Sequence, residues 1–247
     1  MTRGAAVVTG AGQGIGRAIA ARVAGTGRLV WCVDLDEEAL LQMVQELRAA
    51  GGDVRALSCD VGDPAAILRA WDRIDEEGTL VTALVNNAGI FLRDRALDVT
   101  PADWQRVLSV NLSGAFFMAQ EAAGRLVRAD RPGSLVSVAS GQAYRPAARG
   151  AAYAASKAGL VNLTRALAVE WGPVGIRVNT VVPGLTDTAQ PRAVKGDADF
   201  VAAAEGTPLR RLSRPEDIAA MVCFLLSDEA SSVTGQAFAV NGGRIMI

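Results

Sequence analysis

Tyr153 and Lys157 stand four residues apart, so on a helix they share one face. Their chemistry would be acid–base. A phenol can exchange a proton with a hydroxyl or carbonyl oxygen, and a compact ammonium beside it stabilises the phenolate while still donating hydrogen bonds. The rest of the sequence throws weight onto this pair. The 247 residues include no histidine, two tyrosines (Tyr144 and Tyr153) and, among 25 basic residues, only two lysines, Lys157 and Lys195. Without histidine, Ser-His-Asp and Cys-His hydrolases and any histidine-ligated metal are excluded, and no metal site is expected. A lysine retained in so arginine-rich a chain, at i+4 from one of two tyrosines, points to a task arginine would not serve. A surface Tyr/Lys pair is the plainer alternative.

A second group could bind rather than react. Thr9-Gly10-Ala11-Gly12-Gln13-Gly14-Ile15-Gly16 follows an apolar run and opens a helical one. Glycine allows positive φ and close approach of a phosphate to the backbone, and the free N–H groups of a helix start favour a pyrophosphate. The spacing is Gly10-x3-Gly14-x-Gly16, with Ile15 where a G-x-G-x-x-G pattern would place its last glycine. Asp34 ends the next apolar run, where a carboxylate can accept hydrogen bonds from an adenosine ribose. Such a charge repels a 2′-phosphate by up to about 4 kcal/mol at 4 Å and an effective dielectric of 20. Neither Gln13 nor Leu35 offers a compensating cation, so the expected cofactor is NAD. Lowering a phenol from about 10 to about 7 takes roughly 4 kcal/mol, within reach of an ammonium plus the nicotinamide's positive charge.

These groups need elements to hold them. Strands are expected at Ala5–Thr9, Leu29–Asp34, Val54–Ser58, Ala83–Asn86, Ser134–Val138, Arg177–Val182 and Phe238–Val240. Helices are expected at Gly14–Gly25, Glu37–Ala50, Pro64–Glu77, Pro101–Ala129, Tyr153–Trp171 and Arg214–Leu226. Strands such as Val178–Val182 are mostly apolar instead of alternating, as in a parallel sheet buried on both faces. Strand–helix alternation then implies an α/β, doubly wound parallel sheet of the Rossmann type with helices on both faces, in one domain spanning 1–247. Residues 187–212 break the rhythm and read as a substrate lid. The Tyr153–Trp171 helix is apolar nearly all round, so a second subunit or another part of the chain must cover its far side. The formal net charge of −1 argues against a nucleic-acid partner. No run of about 18 apolar residues predicts a membrane span, no signal-peptide pattern opens the chain, and three cysteines without Cys-x-x-Cys spacing fit a reducing cytoplasm.

In an open parallel sheet, ligands gather beyond the carboxyl ends of the strands. Those ends read Thr9-Gly10, Asp34, Asp60, Asn86-Asn87-Ala88-Gly89, Ser140-Gly141 and Pro183-Gly184, small or polar throughout. Together with Asn111, Tyr153-x3-Lys157, Thr188 and a closing Asn241-Gly242-Gly243, they resemble the short-chain dehydrogenases/reductases over essentially the whole chain. Asn241 departs from that pattern, where relatives often carry aspartate, and affects only the C-terminal turn. The resemblance implies Tyr153 as general acid/base, Lys157 as the group that lowers its pKa and binds the nicotinamide ribose, Ser140 as the group orienting the substrate oxygen, and Asn111 as holder of a relay water. It implies adenine contacts from Asp60 and Val61, an adenosine-side wall from Asn87, Ala88 and Gly89, and a nicotinamide pocket shaped by Pro183, Gly184 and Thr188. It also implies a homotetramer built on the helices at 101–129 and 153–171.

The expected activity is reversible hydride transfer between NAD(H) and a secondary alcohol or ketone, cyclic alcohols and diols included. Ile90, Phe91, Gln142, Tyr144 and Arg149 are expected in the substrate pocket, with Arg149 able to hold a carboxylate. Two rivals remain open: a 3-oxoacyl-carrier-protein reductase, with Arg93 and Arg95 docking an acidic carrier, and a non-catalytic NAD(H)-binding regulator.

Overall fold

The computed structural model describes residues 4–192 and 196–247. Seven strands form one parallel sheet in the order β3-β2-β1-β4-β5-β6-β7. They are β1 (Ala5–Thr9), β2 (Val30–Asp34), β3 (Val54–Ser58), β4 (Val81–Asn86), β5 (Gly133–Val138), β6 (Ile176–Pro183) and β7 (Ala237–Val240). Each agrees with its sequence expectation to within two residues. The central strands are buried on both sides, which is why they read as apolar runs instead of alternating ones.

Successive residues of β1 feed two different cores. Ala6 and Val8 pack with Ile19, Leu40 and Val222, from helices α1 (Gly14–Ala24), α2 (Glu37–Ala49) and α9 (Pro215–Leu226). Ala5 and Val7 pack with Trp71, Met118 and Leu167, from α3 (Pro64–Asp75), α5 (Ala115–Arg128) and α6 (Ala151–Trp171). The sheet is therefore sandwiched between two helical layers. Its chain order reverses between β1 and β4, which opens a crevice at their carboxyl ends. Asp36 and Asp63 cap α2 and α3 by accepting the backbone N–H of Ala39 and Ala65.

Two expectations need correction. The single helix at 101–129 is divided: α4 (Pro101–Leu108) runs into a π-helical turn, Ser109–Gly114, before α5. The turn answers to packing that sequence periodicity does not carry. A Cβ on Gly114 would lie 2.1 Å from the Val61 carbonyl oxygen, so the loop after β3 presses directly on this backbone. The region 187–212 is less irregular than expected, with short helices α7 (Ala189–Arg192) and α8 (Asp197–Glu205); residues 193–195 of the expected lid, Lys195 included, lie outside the described residues. Helix α6 is covered by the sheet on one side only. Ala155, Ala158 and Ala166 are exposed, as is Val169 at 80 %, so nothing described in this chain covers that face. Among the described residues no helix is long and apolar enough to cross a membrane.

Candidate active site

The glycine turn is locked by contacts that leave no room for side chains. Gly10 and Gly14 have φ of +63° and +55°, in the left-handed region that favours glycine. A Cβ on Gly16 would lie 1.9 Å from the Gly10 carbonyl oxygen, so the helix start and the turn are in direct backbone contact. Asn87 clamps the turn from the next strand, its Nδ2 donating to the carbonyls of Thr9 at 3.1 Å and Gly10 at 3.0 Å. The Thr9 hydroxyl accepts the N–H groups of Asn87 and Ala88. Gln13, the residue before α1, makes no side-chain cap and the first turn holds no acid. The first N–H groups of α1 are thus free for an anion.

Asp34 stands at the far lip. Its Oδ2 accepts the Gly12 N–H at 2.8 Å and its Oδ1 the Asp36 N–H at 3.1 Å. Two backbone bonds fix the carboxylate in place, and its remaining lone pairs are available to ribose hydroxyls. Leu35 beside it is 67 % exposed. Asp60 accepts the Gly62 N–H at 2.7 Å through Oδ1, next to buried Val61. A glycine cradle, open helix donors and an anchored carboxylate, all on one crevice, fit an adenine dinucleotide.

The reactive group lies further along the same crevice. The α6 start carries Tyr153, Ser156 and Lys157, and the end of β5 leads to Ser140. Ser140 caps a short 3₁₀ turn, Gly141–Ala143, its Oγ accepting the Gln142 N–H at 3.2 Å. Lys157 is 3 % exposed and donates from Nζ to the Val138 carbonyl at 2.8 Å; the ammonium lies 5.8 Å from the centroid of the Tyr153 ring. Burial pulls the Lys157 pKa down to about 8. Burial also pushes the Tyr153 phenol up, with a hydrogen bond to Ser140 pulling the other way. In the chain by itself the phenol therefore moves in the direction opposite to the one catalysis needs, because no neighbouring charge outweighs desolvation. Phe91 packs on Tyr153 with ring centroids 4.7 Å apart.

Asn111 sits in the π turn and is buried. Its Nδ2 donates to the Ile90 carbonyl at 2.9 Å and to Ser156 Oγ at 3.1 Å, and its Oδ1 accepts the Ile90 N–H at 2.8 Å. A Cβ on Gly89 would lie 3.2 Å from Asn111 Oδ1 and 3.4 Å from Lys157 Nζ, so the two side chains meet across Gly89.

One cleft of about 890 Å³ joins these groups. It is lined by the expected Gly10, Gln13, Gly14, Ile15, Asp34, Leu35, Asp60, Val61 and Asn87 to Gly89, and onward by Ile90, Phe91, Ser140, Gln142, Tyr153, Lys157, Pro183, Gly184 and Thr188. Gly16 and Asn111 stand behind the lining as supports. Tyr144 and Arg149, both expected in the substrate pocket, do not line it. The chain turns outward after the 3₁₀ turn, leaving Tyr144 37 % exposed, and Arg149 occupies a left-handed bend with φ of +63°. Arg145, Leu185, Ala203, Arg244 and Ile245 line the cleft instead. The positions of the last three depend on tertiary folding of the C-terminal segment, which no local motif announces.

A doubly wound fold with this crevice defines a dinucleotide-dependent oxidoreductase. The family model described as enoyl-(acyl carrier protein) reductase matches residues 10–244. D-threitol dehydrogenase of Mycolicibacterium smegmatis is 36 % identical over 238 residues, covering 96 % of this chain and 91 % of that protein. The 2,3-dihydro-2,3-dihydroxybenzoate dehydrogenase of Bacillus subtilis is 35 % identical over 252 residues, covering 98 % and 95 %. A crystal structure from Beutenbergia cavernae, provisionally assigned as an NAD(P)-dependent gluconate 5-dehydrogenase and holding NADP at low occupancy, superposes with a TM-score of 0.91 at 37 % identity, covering 97 % and 96 %. The chain belongs to the short-chain dehydrogenase/reductase family.

Proposed function

We propose that the chain interconverts a secondary alcohol, cyclic alcohols and diols included, and the corresponding ketone, with NAD(H) as cofactor. The observation that carries this reading is the convergence of Tyr153, Ser140 and Lys157 on the end of the cleft farthest from Asp34. When bound, the nicotinamide supplies the hydride acceptor or donor. In oxidation the Tyr153 phenolate oxygen takes the substrate's hydroxyl proton while Ser140 holds the same oxygen by a hydrogen bond. Lys157 gives one N–H to Val138, which fixes its ammonium under the phenol, and keeps the others for ribose hydroxyls. The Asn111 amide gives both N–H groups to Ile90 and Ser156 and accepts one N–H at Oδ1, so a relay water between Lys157 and solvent would donate to the remaining lone pair of that oxygen, beside backbone groups of the π turn where the regular helical ladder is interrupted.

Asp34 supports NAD over NADP. Its carboxylate is pinned by two backbone N–H groups and cannot swing away from a 2′-phosphate without breaking them. The expected preference in kcat/KM is tenfold to thousandfold, equivalent to about 1.4–4 kcal/mol. Initial rates with a panel of secondary alcohols and each cofactor test both parts of the reading. NADH formation dependent on an alcohol supports it, and equal kcat/KM for the two cofactors contradicts the NAD assignment. The carrier-linked ketone reading stands second, since Arg95 is already paired with Asp98 and Asp34 opposes NADPH. A homotetramer using α4, α5 and α6 is part of the proposal, supported by the apolar residues that α6 leaves exposed.

A further inference from the structure

The carboxylates lining the cleft are confined to one end. Asp34, Asp60 and Asp63 all follow β2 or β3 and lie at the adenosine end, and Arg106 of α4 also lines the cleft. Beyond Tyr153 the charged lining residues are Arg145 and Arg244, and among the described residues no carboxylate lines that end. The two guanidiniums also differ from the ion-paired arginines of this protein. Arg17, Arg73, Arg125, Arg192 and Arg211 each pair with a carboxylate, whereas the described contacts of Arg145 and Arg244 include none. Arg145 follows the 3₁₀ turn that holds Gln142, its backbone N–H donating to Gly141 at 2.9 Å. Arg244 Nη1 donates to the Ala203 carbonyl in α8 at 3.1 Å. Its neighbour Ile245 reaches to 2.6 Å from where a Cβ on Gly141 would stand. Arg145 thus follows closely on the Gly141–Gln142 step, Arg244 precedes the residue that packs on Gly141, and both arginines line the cleft.

Gln142 adds a second requirement. Its Oε1 is buried and has no hydrogen-bond partner, although the residue lines the cleft two positions from Ser140. A buried acceptor left unpaired costs about 1–3 kcal/mol; Oε1 now faces Gly150, 2.8 Å from where a Cβ there would stand, and a turn of the carboxamide toward a hydroxyl bound in the cleft would remove that cost. A hydroxyl serves either orientation of the carboxamide, since it can donate or accept.

The geometry points to a hydroxy-carboxylate substrate: Arg145 and Arg244 take the carboxylate, and the Gln142 amide takes a hydroxyl neighbouring the one oxidised at Tyr153. The class is a vicinally hydroxylated acid, open-chain or cyclic, in preference to the neutral polyol of the same skeleton. This inference rests on the alcohol/ketone reading of the site. Guanidinium groups match a carboxylate with paired, charge-assisted N–H donors; a neutral hydroxymethyl group in the same place accepts only a weaker, uncharged hydrogen bond.

The test compares D-gluconate with D-glucitol, and cis-dihydroxycyclohexane carboxylate with its primary amide, with NAD as oxidant. The expected result is a kcat/KM at least tenfold higher for the acid in one of the pairs. Arg145→Ala and Arg244→Ala should raise KM for that acid tenfold or more with little change in kcat, and leave the neutral partner within twofold. Arg145→Lys should recover part of the loss. Gln142→Leu should lower kcat/KM for the dihydroxy acid while sparing a mono-hydroxy acid. Titration of that acid into the enzyme–NADH complex should show the same loss of affinity in the arginine variants, without turnover. Equal kcat/KM for acid and neutral partner, or arginine variants that impair both alike, overturns the inference. Tyr153-dependent oxidation of neutral alcohols alone overturns it and leaves the alcohol/ketone reading intact, whereas no oxidation of any alcohol overturns both.

Discussion

Lys157 is a cation folded into a place that disfavours its charge. The sequence singles it out by scarcity, and the structure adds the cost: the buried ammonium has a pKa of about 8 against 10.5 when solvated. A lysine pKa depressed by folding means that the unfolded chain binds the proton more tightly. Below about pH 8 both states are protonated and the penalty is complete; between about 8 and 10.5 the folded state sheds the proton first and the penalty fades. Lys157→Met should therefore raise the stability of the cofactor-free protein at pH 7, by up to about 3 kcal/mol less the lost bond to Val138. The margin should shrink as pH rises from about 8 to 10.5, read by urea unfolding at several pH values. The buried thiols of Cys32 and Cys59, whose pKa values are pushed up to about 12 and about 11, titrate alike in both proteins and cancel in the difference. A margin independent of pH would show that the charge is not the cause. The same burial pushes Tyr153 up in the bare chain, so the proposed proton exchange calls for positive charge brought in with the cofactor.

At the scale of elements, the glycine turn and α1 behave as one device. Thr9, Gly10, Gly16 and Asn87 interlock, and Gly16→Ala would place a methyl carbon 1.9 Å from the Gly10 carbonyl oxygen, far inside van der Waals contact. The helix start must move away, taking its free N–H groups with it. The expected outcome is a rise of tenfold or more in the Kd for NADH by fluorescence titration, with a folded protein by circular dichroism; unchanged affinity would dissociate the turn from cofactor binding. The strands, the turn, Asp34 and the Tyr153/Lys157 face are legible in the sequence because each obeys a local period or a local chemistry. The π turn is not, since Pro101 to Ala129 keeps helical periodicity throughout and the disturbance at Gly114 comes from Val61, far earlier in the chain. Arg244 and Ile245 escape notice for the same reason: only folding carries them from the C-terminus to the 3₁₀ turn after β5. Arg149 looked suited to hold a carboxylate by type and proximity to Tyr153, but its left-handed bend leaves it outside the cleft lining, and Arg145 lines it.

At the scale of the molecule, two surfaces define what the fold is for. One is the outer face of α6, where Val169 is 80 % exposed among exposed alanines, an arrangement suited to contact with a second copy of the chain. Light scattering should return a tetramer, and Val169→Glu should shift it toward smaller species by burying a charge at each contact; a monomeric wild type would contradict that assembly. The other is the crevice at the carboxyl edge of the sheet, where the cradle for a dinucleotide and the half-buried Tyr153 lie in one continuous cleft. The account stands on Tyr153 exchanging the substrate proton there. Its most direct test is turnover and NADH binding measured together on Tyr153→Phe, with an alcohol that the wild type oxidises. The account predicts a loss of at least about a hundredfold in kcat with the Kd for NADH within a few-fold of wild type, whereas near-normal turnover in the variant would contradict it.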